Sequence, residues 1–344
     1  MSTSIQFGVG FAANVPVPTI LESAQLAENL GYDVFWVTDS HLVVREAMVI
    51  LGALAATTKR INLGPGVSHL AGRHPSVIAS AMATLDELAP GRIRLGFGVG
   101  DSGPLNLGVP RTTVQHLEDA VVGIRALLRG EEMPGTTRPL RLNYVQKRET
   151  SPVPIYVAAS GQRTLRMAGR VADAALVSGM PDQLARSIQV IREGEREAGR
   201  PAGSTRILFW TTACVDHDRQ AARSAVRGSV ARRAMNTFGR NRDELSQEDR
   251  EALEKLEAAH HQGYRWDTDY TNLVPDKWID QLAVAGTPEE VRGRLERALA
   301  DGADEISVIL MSSRAAGARG SADQLRLFAE NVVAPMRAAH QVPA

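Results

Sequence analysis

Short apolar runs alternate with amphipathic segments along most of this chain. Each run is followed within a few residues by glycine, proline or charged residues. Runs bounded in this way are typical of buried strands in a parallel sheet. The pattern predicts eight strands, at residues 5–11, 34–37, 61–63, 93–98, 154–159, 174–178, 207–215 and 305–310.

The segments between these strands carry helical periodicity. Residues 114–128, for example, place apolar side chains three and four positions apart. A further helix begins where Thr287 can act as its cap and Pro288 lies in its first turn. Eight strands alternating with helices favour an α/β fold of the (β/α)8 TIM-barrel type, with an open doubly wound sheet as the alternative.

Two stretches interrupt the alternation. The first stretch, at about residues 130–152, is rich in proline and glycine. The second, at about residues 236–285, contains a helical segment together with aromatic and charged positions. We interpret both as insertions, after strands 4 and 7, in a single domain that covers residues 1–344. Trp266 and Tyr270 in the second insertion are candidate walls of a substrate pocket, or alternatively the core of the insertion itself.

Composition excludes several classes of protein. The formal net charge is zero, so no overall field attracts nucleic acid or an anionic membrane. Cys214 is the single cysteine, which rules out intrachain disulfides and cysteine-cluster metal sites. No HExxH or comparable ligand pattern occurs, and we predict no metal. Neither a signal peptide nor a membrane span is recognisable, which favours a cytoplasmic protein.

Polar residues concentrate at the predicted carboxyl ends of strands. Asp39 and His41 follow the second strand, His69 lies in a glycine-rich turn after the third, and Asp101 follows the glycines after the fourth. In a TIM barrel these ends form the active-site face. Carboxylates and imidazoles there are candidates for general acid or base work. Each also has a structural interpretation, since Asp39 could simply cap a turn.

Two glycine-containing segments are candidate ligand sites, and the sequence signal is weaker for the first than for the second. Residues 96–100 lack the spacing and the downstream acidic residue of a dinucleotide fingerprint. Ser160, Gly161, Gln162 and Arg163 open a helix, and free backbone N–H groups at a helix start suit a phosphate or carboxylate. A plain N-cap at Ser160 is the alternative.

Several of these motifs occur together in one known family. The motifs, in chain order, are residues 36–39, 64–75, 83–88, 96–101, 156–161 and 285–290. Together they resemble the luciferase-like flavin and deazaflavin enzymes. Within that family, the chain is most similar to the branch that uses the deazaflavin coenzyme F420, which includes methylenetetrahydromethanopterin reductase-like enzymes. The resemblance implies a TIM barrel with insertions and a homodimer.

The resemblance also implies where coenzyme F420 binds. Gly66 and Val67 match a backbone bulge, often with a non-proline cis peptide, that supports the ring from behind. Asp39 matches an acidic residue beside the ring, and the loop from Ser160 matches the segment whose amides hold the phosphate. The full expected cofactor site is Asp39, Gly66, Val67, Ser68, His69, Gly100, Ser160, Gly161, Gln162 and Arg163.

The activity implied is hydride transfer between reduced F420 and a small organic substrate, most readily reduction of a C=C or C=N bond. Asp39, His41 or Asp101 would deliver the proton, and a separate reductase would supply the reduced cofactor. Relatives that oxidise a sugar phosphate carry histidine where this chain has Ser40, which argues against that substrate. The alternatives are a two-component monooxygenase using reduced FMN, and a noncatalytic flavin- or partner-binding protein of the same fold.

Overall fold

The computed structural model describes residues 5–178, 183–239, 242–260, 271–313 and 321–340. The strands are β1 Gln6–Phe11, β2 Val34–Val37, β3 Asn62–Pro65, β4 Leu95–Phe97, β5 Ile155–Ala159, β6 Ala174–Ser178, β7 Arg206–Val215, β8 Ala283–Gly286 and β9 Glu305–Leu310. The α-helices are α1 Val17–Asn29, α2 Ala47–Thr57, α3 Pro75–Leu88, α4 Ser102–Leu107, α5 Val114–Leu128, α6 Gln162–Val171, α7 Leu184–Glu197, α8 Arg219–Phe238, α9 Gln247–His260, α10 Asp276–Leu282, α11 Pro288–Ala300, α12 Ala322–Phe328 and α13 Ala334–His340, with a π-helical segment at Ala329–Val333 between the last two.

Eight of the strands form a barrel. They are parallel and lie in the order β3-β2-β1-β9-β7-β6-β5-β4. Parallel bridges from Leu63 to Ile93 and from Ser68 to Phe97 join the two ends of this order. The predicted (β/α)8 barrel is therefore confirmed, and the open doubly wound alternative is wrong for this chain.

The ninth strand was not expected from the sequence. β8 lies at the end of the segment interpreted as the second insertion and pairs with the last four residues of β7. β6 pairs only with the first half of β7, from Arg206 to Trp210, so the longer strand leaves backbone groups that β8 satisfies. The short Ala-Val-Ala-Gly sequence gives too weak a pattern for this strand to be recognised.

Helices α8, α9 and α10 build a separate apolar cluster against β8. Trp278 is buried at its centre and lies 5.1 Å from the Phe238 ring, measured between centroids. The segment interpreted as the second insertion therefore shares an apolar core with α8 and the end of β7, beside the barrel. The helical segment predicted within this insertion corresponds to α9.

Aromatic side chains fill the inside of the barrel. Trp36 packs edge-to-face against both Tyr156 and Trp210, at centroid distances of 5.4 Å and 6.0 Å. At the amino-terminal end of the barrel, Arg94 forms a buried ion pair with Glu305 at 3.0 Å, and the Tyr156 hydroxyl donates to the same carboxylate at 2.9 Å. The barrel is therefore a packed core, closed at its base by a charged network.

Among the described residues, no helix is long and apolar enough to span a bilayer.

Candidate active site

The loops after β2 and β3 bring a buried carboxylate to the mouth of the barrel. Asp39 is only 8% exposed. Its Oδ2 atom accepts hydrogen bonds from Ser68 Oγ at 2.7 Å and from the Arg73 guanidinium at 2.6 Å. Burial alone would lower the pKa of Arg73, but the charge of Asp39 and the hydrogen bonds to its carboxylate partners raise that pKa above its usual value. The guanidinium of Arg73 is thus held against Asp39 in a position largely shielded from water.

Arg73 is held on its other side by a helix start. A second guanidinium nitrogen pairs with Glu46, which is the N-cap of α2 and accepts from the Val49 amide at 2.8 Å. Charge-assisted contacts of this kind are stronger than neutral ones. The carboxylate of Asp39 is therefore positioned by the β3 turn and by α2 together.

The turn after β3 lies close above the aromatic side chains inside the barrel. The peptide bond between Gly66 and Val67 is cis, as the family resemblance implies. A Cβ atom built on Gly66 would lie 2.9 Å from Trp36 Cβ and 3.0 Å from Trp210 Cη2. Only a glycine lets the backbone come this near the two indoles. The result is a backbone cradle with an aromatic floor, next to Asp39.

His69 is buried under α4. Its Nδ1 atom accepts from the Ala71 amide at 3.2 Å, so the neutral ring carries its proton on Nε2. Nε2 has no hydrogen-bond partner among the described residues. Burial lowers the pKa of His69 below 6.5, although the charge of Asp39 acts in the opposite direction. A buried donor without an acceptor is unusual, and Gly103 of α4 covers this one, since a Cβ built on Gly103 would lie 2.1 Å from His69 Nε2.

Helix α4 was not predicted, because its sequence contains both glycine and proline. It lies across the mouth and is tied to the loop after β2 at two points: Ser102 Oγ is 2.5 Å from Ser40 Oγ, and Asn106 donates to the His41 carbonyl at 2.9 Å. The His41 side chain itself is exposed. The helix thus fixes this loop through side chains that carried no recognisable motif.

Asp101 joins two parts of the mouth. Its Oδ1 atom pairs with Arg111 and its Oδ2 atom accepts from Asn236 of α8 at 2.8 Å. Asp101 therefore links the start of α4 to the helix after β7, although its side chain is still 51% exposed. Gly100 precedes it with a φ of 78°, and a Cβ there would lie 3.0 Å from His69 Cβ.

The turn after β5 opens helix α6 at the same end of the barrel. Gly161, rather than Ser160, is the N-cap, and its amide donates to Thr164 Oγ1 at 3.2 Å. Ser160, Gly161, Gln162 and Arg163 are all exposed at this helix start. The expected N-cap at Ser160 is therefore wrong, while the exposed helix start remains a candidate anion site.

The proposed substrate residues Trp266 and Tyr270 lie outside the described residues. Among the residues that sequence reasoning missed are Glu46, Ser102, Asn106, Arg111 and Asn236, whose partners lie between 10 and 135 positions away along the chain. The described residues include no cluster of three or more His, Cys, Asp or Glu side chains arranged to hold a metal ion.

Fold and site together define a TIM-barrel protein with a candidate ligand site at the carboxyl ends of its strands. The family model described as luciferase-like monooxygenase matches residues 1–305. The chain belongs to this family, which confirms the resemblance noted in the sequence.

Similar proteins include enzymes named for coenzyme F420. A 5,10-methylenetetrahydromethanopterin reductase from Methanolobus tindarius is 28% identical over 311 residues, covering 87% of this chain and 92% of that protein. An F420-dependent glucose-6-phosphate dehydrogenase from Beutenbergia cavernae is 35% identical over 226 residues, covering 60% and 67%. The structure of a coenzyme F420-dependent tetrahydromethanopterin reductase from Methanopyrus kandleri matches with a TM-score of 0.81 and 23% identity, covering 97% and 100%.

Proposed function

We propose that this protein is an F420-dependent oxidoreductase that transfers a hydride between the deazaflavin and a small organic substrate, most readily reducing an electron-poor C=C or C=N bond. The relatives named above support the cofactor. The observation that carries the proposal is the backbone cradle at Gly66 and Val67, beside the paired carboxylate of Asp39. In this proposal a separate reductase supplies the reduced cofactor.

The residues present fit such a group. Gly66, Val67 and Ser68 would support one face of a flat ring. The exposed start of α6 at Gln162 would take a phosphate. When bound, the deazaflavin supplies the hydride chemistry, and the protein supplies orientation and electrostatics.

The three candidate proton donors have different surroundings. Asp39 accepts hydrogen bonds from Ser68 and Arg73 at one oxygen, Oδ2, and His41 presents an exposed imidazole on the same loop. Asp101 has both oxygens bound, one by Arg111 and one by Asn236. We therefore assign proton handling to Asp39 and His41, and assign Asp101 to holding the mouth together.

Separate titrations with F420 and FMN test the proposal. Trp36 and Trp210 lie under the cradle, so binding there should quench tryptophan fluorescence. We expect F420 to bind and FMN to bind far more weakly. The Gly66→Ala variant should bind F420 at least about fivefold more weakly, because overpacking of this kind costs about 1–3 kcal/mol. Gly228→Ala is the matched control, since a Cβ there meets no atom within 4 Å.

Other results would overturn the proposal in distinct ways. Tight binding of FMN alone, with oxygen consumption by the reduced form, would favour the monooxygenase. Tight binding of F420 without turnover of any C=C or C=N substrate would favour a noncatalytic role. An equal loss of F420 affinity in Gly66→Ala and Gly228→Ala would show that the cradle does not determine cofactor binding.

We also propose that two copies of the chain associate through α2 and α3. Helix α2 has no charged residue, and a helix that is apolar on all sides is normally covered on all sides. Yet Val49 is 71% exposed, and no atom lies within 4 Å of a Cβ built on Gly52. On the neighbouring α3, Val77 is 53% exposed. Helices α5, α6 and α7 instead carry Arg–Glu pairs on their outer sides. The surface that best matches an uncharged helix is therefore the same helix of a second copy.

A further inference from the structure

Two leucines stand on the rim of the barrel mouth. Leu42 is 74% exposed and Leu105 is 61% exposed. Leu42 follows His41 and Leu105 precedes Asn106, so the two leucines flank the hydrogen bond from Asn106 to the His41 carbonyl. We call Leu42 and Leu105 the leucine rim. Leu42 lies in the same loop as Asp39, and Leu105 lies on α4.

The backbone at Leu42 is unusual. Its φ is 66°, and it is the sole non-glycine residue with a positive φ in the described part of the chain. A branched side chain is disfavoured in this region, and such residues cluster at ligand sites. Neither local sequence preference nor burial accounts for a leucine here.

The ion pairs around Asp39 argue against a phosphate bound beside that carboxylate. The ion pairs here join three carboxylates, Asp39, Glu46 and Asp101, to two guanidinium groups, Arg73 and Arg111. Both arginines are already bound to carboxylates, and the paired groups carry a net negative charge. A phosphate next to Asp39 would have to break one of these pairs, which are stronger than ordinary hydrogen bonds.

We infer that the leucine rim binds the hydrocarbon part of an uncharged substrate, so that the substrate class is an apolar enone or imine and not a sugar phosphate. This inference rests on the proposed function. The cradle holds the cofactor, the paired carboxylate lies beside the reacting bond, and the leucines contact the carbon chain beyond it. Each methylene fully buried against such a surface gives up to about fourfold in binding.

A series of 3-alken-2-ones, from 3-penten-2-one to 3-nonen-2-one, tests the inference through F420H2 oxidation. We expect kcat/KM to rise about two- to fourfold per methylene in the unmodified protein. In Leu42→Ser and Leu105→Ser this increase of kcat/KM with chain length should be smaller, because KM no longer falls as the chain lengthens. The affinity for F420 should be unchanged. Val122→Ser is the control, because Val122 is an exposed apolar residue on α5. Glucose 6-phosphate should neither react nor compete.

A measurement without cofactor or turnover separates this inference from the proposed function. Saturation-transfer-difference NMR with 2-nonanone should show contact along the alkyl chain, lost in the two leucine variants and kept in Val122→Ser. Contact with no turnover of any alkenone would leave the rim in place and overturn the proposed reaction. F420-dependent turnover with a kcat/KM that does not change with chain length, or tight binding of glucose 6-phosphate, would show that the leucine rim does not bind the substrate. The proposed function would still stand.

Discussion

His69 shows how a single buried side chain connects the mouth to its cover. A Cβ built on Gly103 would lie 2.1 Å from His69 Nε2, so α4 rests directly on the imidazole. The charged groups that act on the ring are Asp39, Arg73 and His41. Protonation would place a second positive charge in a buried position beside Arg73, where burial already disfavours it.

The pKa of His69 predicts a pH dependence of stability. Because its folded pKa lies below 6.5, the unfolded chain binds more protons as the pH falls through that value. Stability therefore decreases below about pH 6.5, by at most about 1.4 kcal/mol per pH unit for this one group. Urea unfolding at several pH values should show the loss in the unmodified protein and a smaller loss in His69→Asn.

The comparison requires a second histidine variant. His116 is exposed on α5, so His116→Asn should retain the full pH dependence of the unmodified protein. Identical pH slopes in all three proteins would mean that His69 does not contribute. Near-UV circular dichroism establishes that each variant is folded before unfolding is measured.

At the scale of an element, α11 is determined by its first turn. Thr287 Oγ1 accepts from the Glu290 amide at 3.4 Å, and the Glu290 carboxylate accepts from the Thr287 amide at 3.0 Å. The hydrogen bond from the Thr287 amide lowers the pKa of Glu290. Glu290 also pairs with Arg219 at 2.7 Å, which connects α11 to the start of α8.

Removing this cap should cost a modest and specific amount of stability. We expect Thr287→Ala to lose about 1 kcal/mol of unfolding free energy, because one backbone N–H loses its acceptor. Thr287→Ser keeps the hydroxyl and should stay within about 0.5 kcal/mol of the unmodified protein. Chemical denaturation measures both, and equal losses in the two variants would show that the methyl group and not the cap matters.

At the scale of the whole molecule, the exposed valines of α2 and α3 set the expected assembly. Light scattering after size exclusion should give twice the 37.1 kDa chain mass. Val49→Glu or Val77→Glu should shift the protein to monomer, since a buried unpaired carboxylate costs several kcal/mol. Val122→Glu on α5 should remain dimeric. A monomer at micromolar concentration in the unmodified protein would contradict the proposed interface.

The chain's own pattern was sufficient for the architecture. Eight strands, most of the helices and the polar turns at strand ends follow from local signals: apolar runs, helical periodicity and caps such as Thr287. Where the local signal failed, as at α4 and β8, the element is short and is stabilised by neighbours that lie far away in sequence. Sequence periodicity reports only how a segment packs, and not which segment it packs against.

Tertiary structure alone decided how the site is assembled. The side-chain contacts that build it join residues 34 positions apart at Asp39 and Arg73, 62 apart at Ser40 and Ser102, and 135 apart at Asp101 and Asn236. No spacing rule predicts such pairs, because they depend on which loops closure of the barrel brings together. The sequence thus determined the barrel and the end where polar groups gather. Folding determined which carboxylates are paired, which histidine is left with an unpaired donor and where the exposed leucines lie.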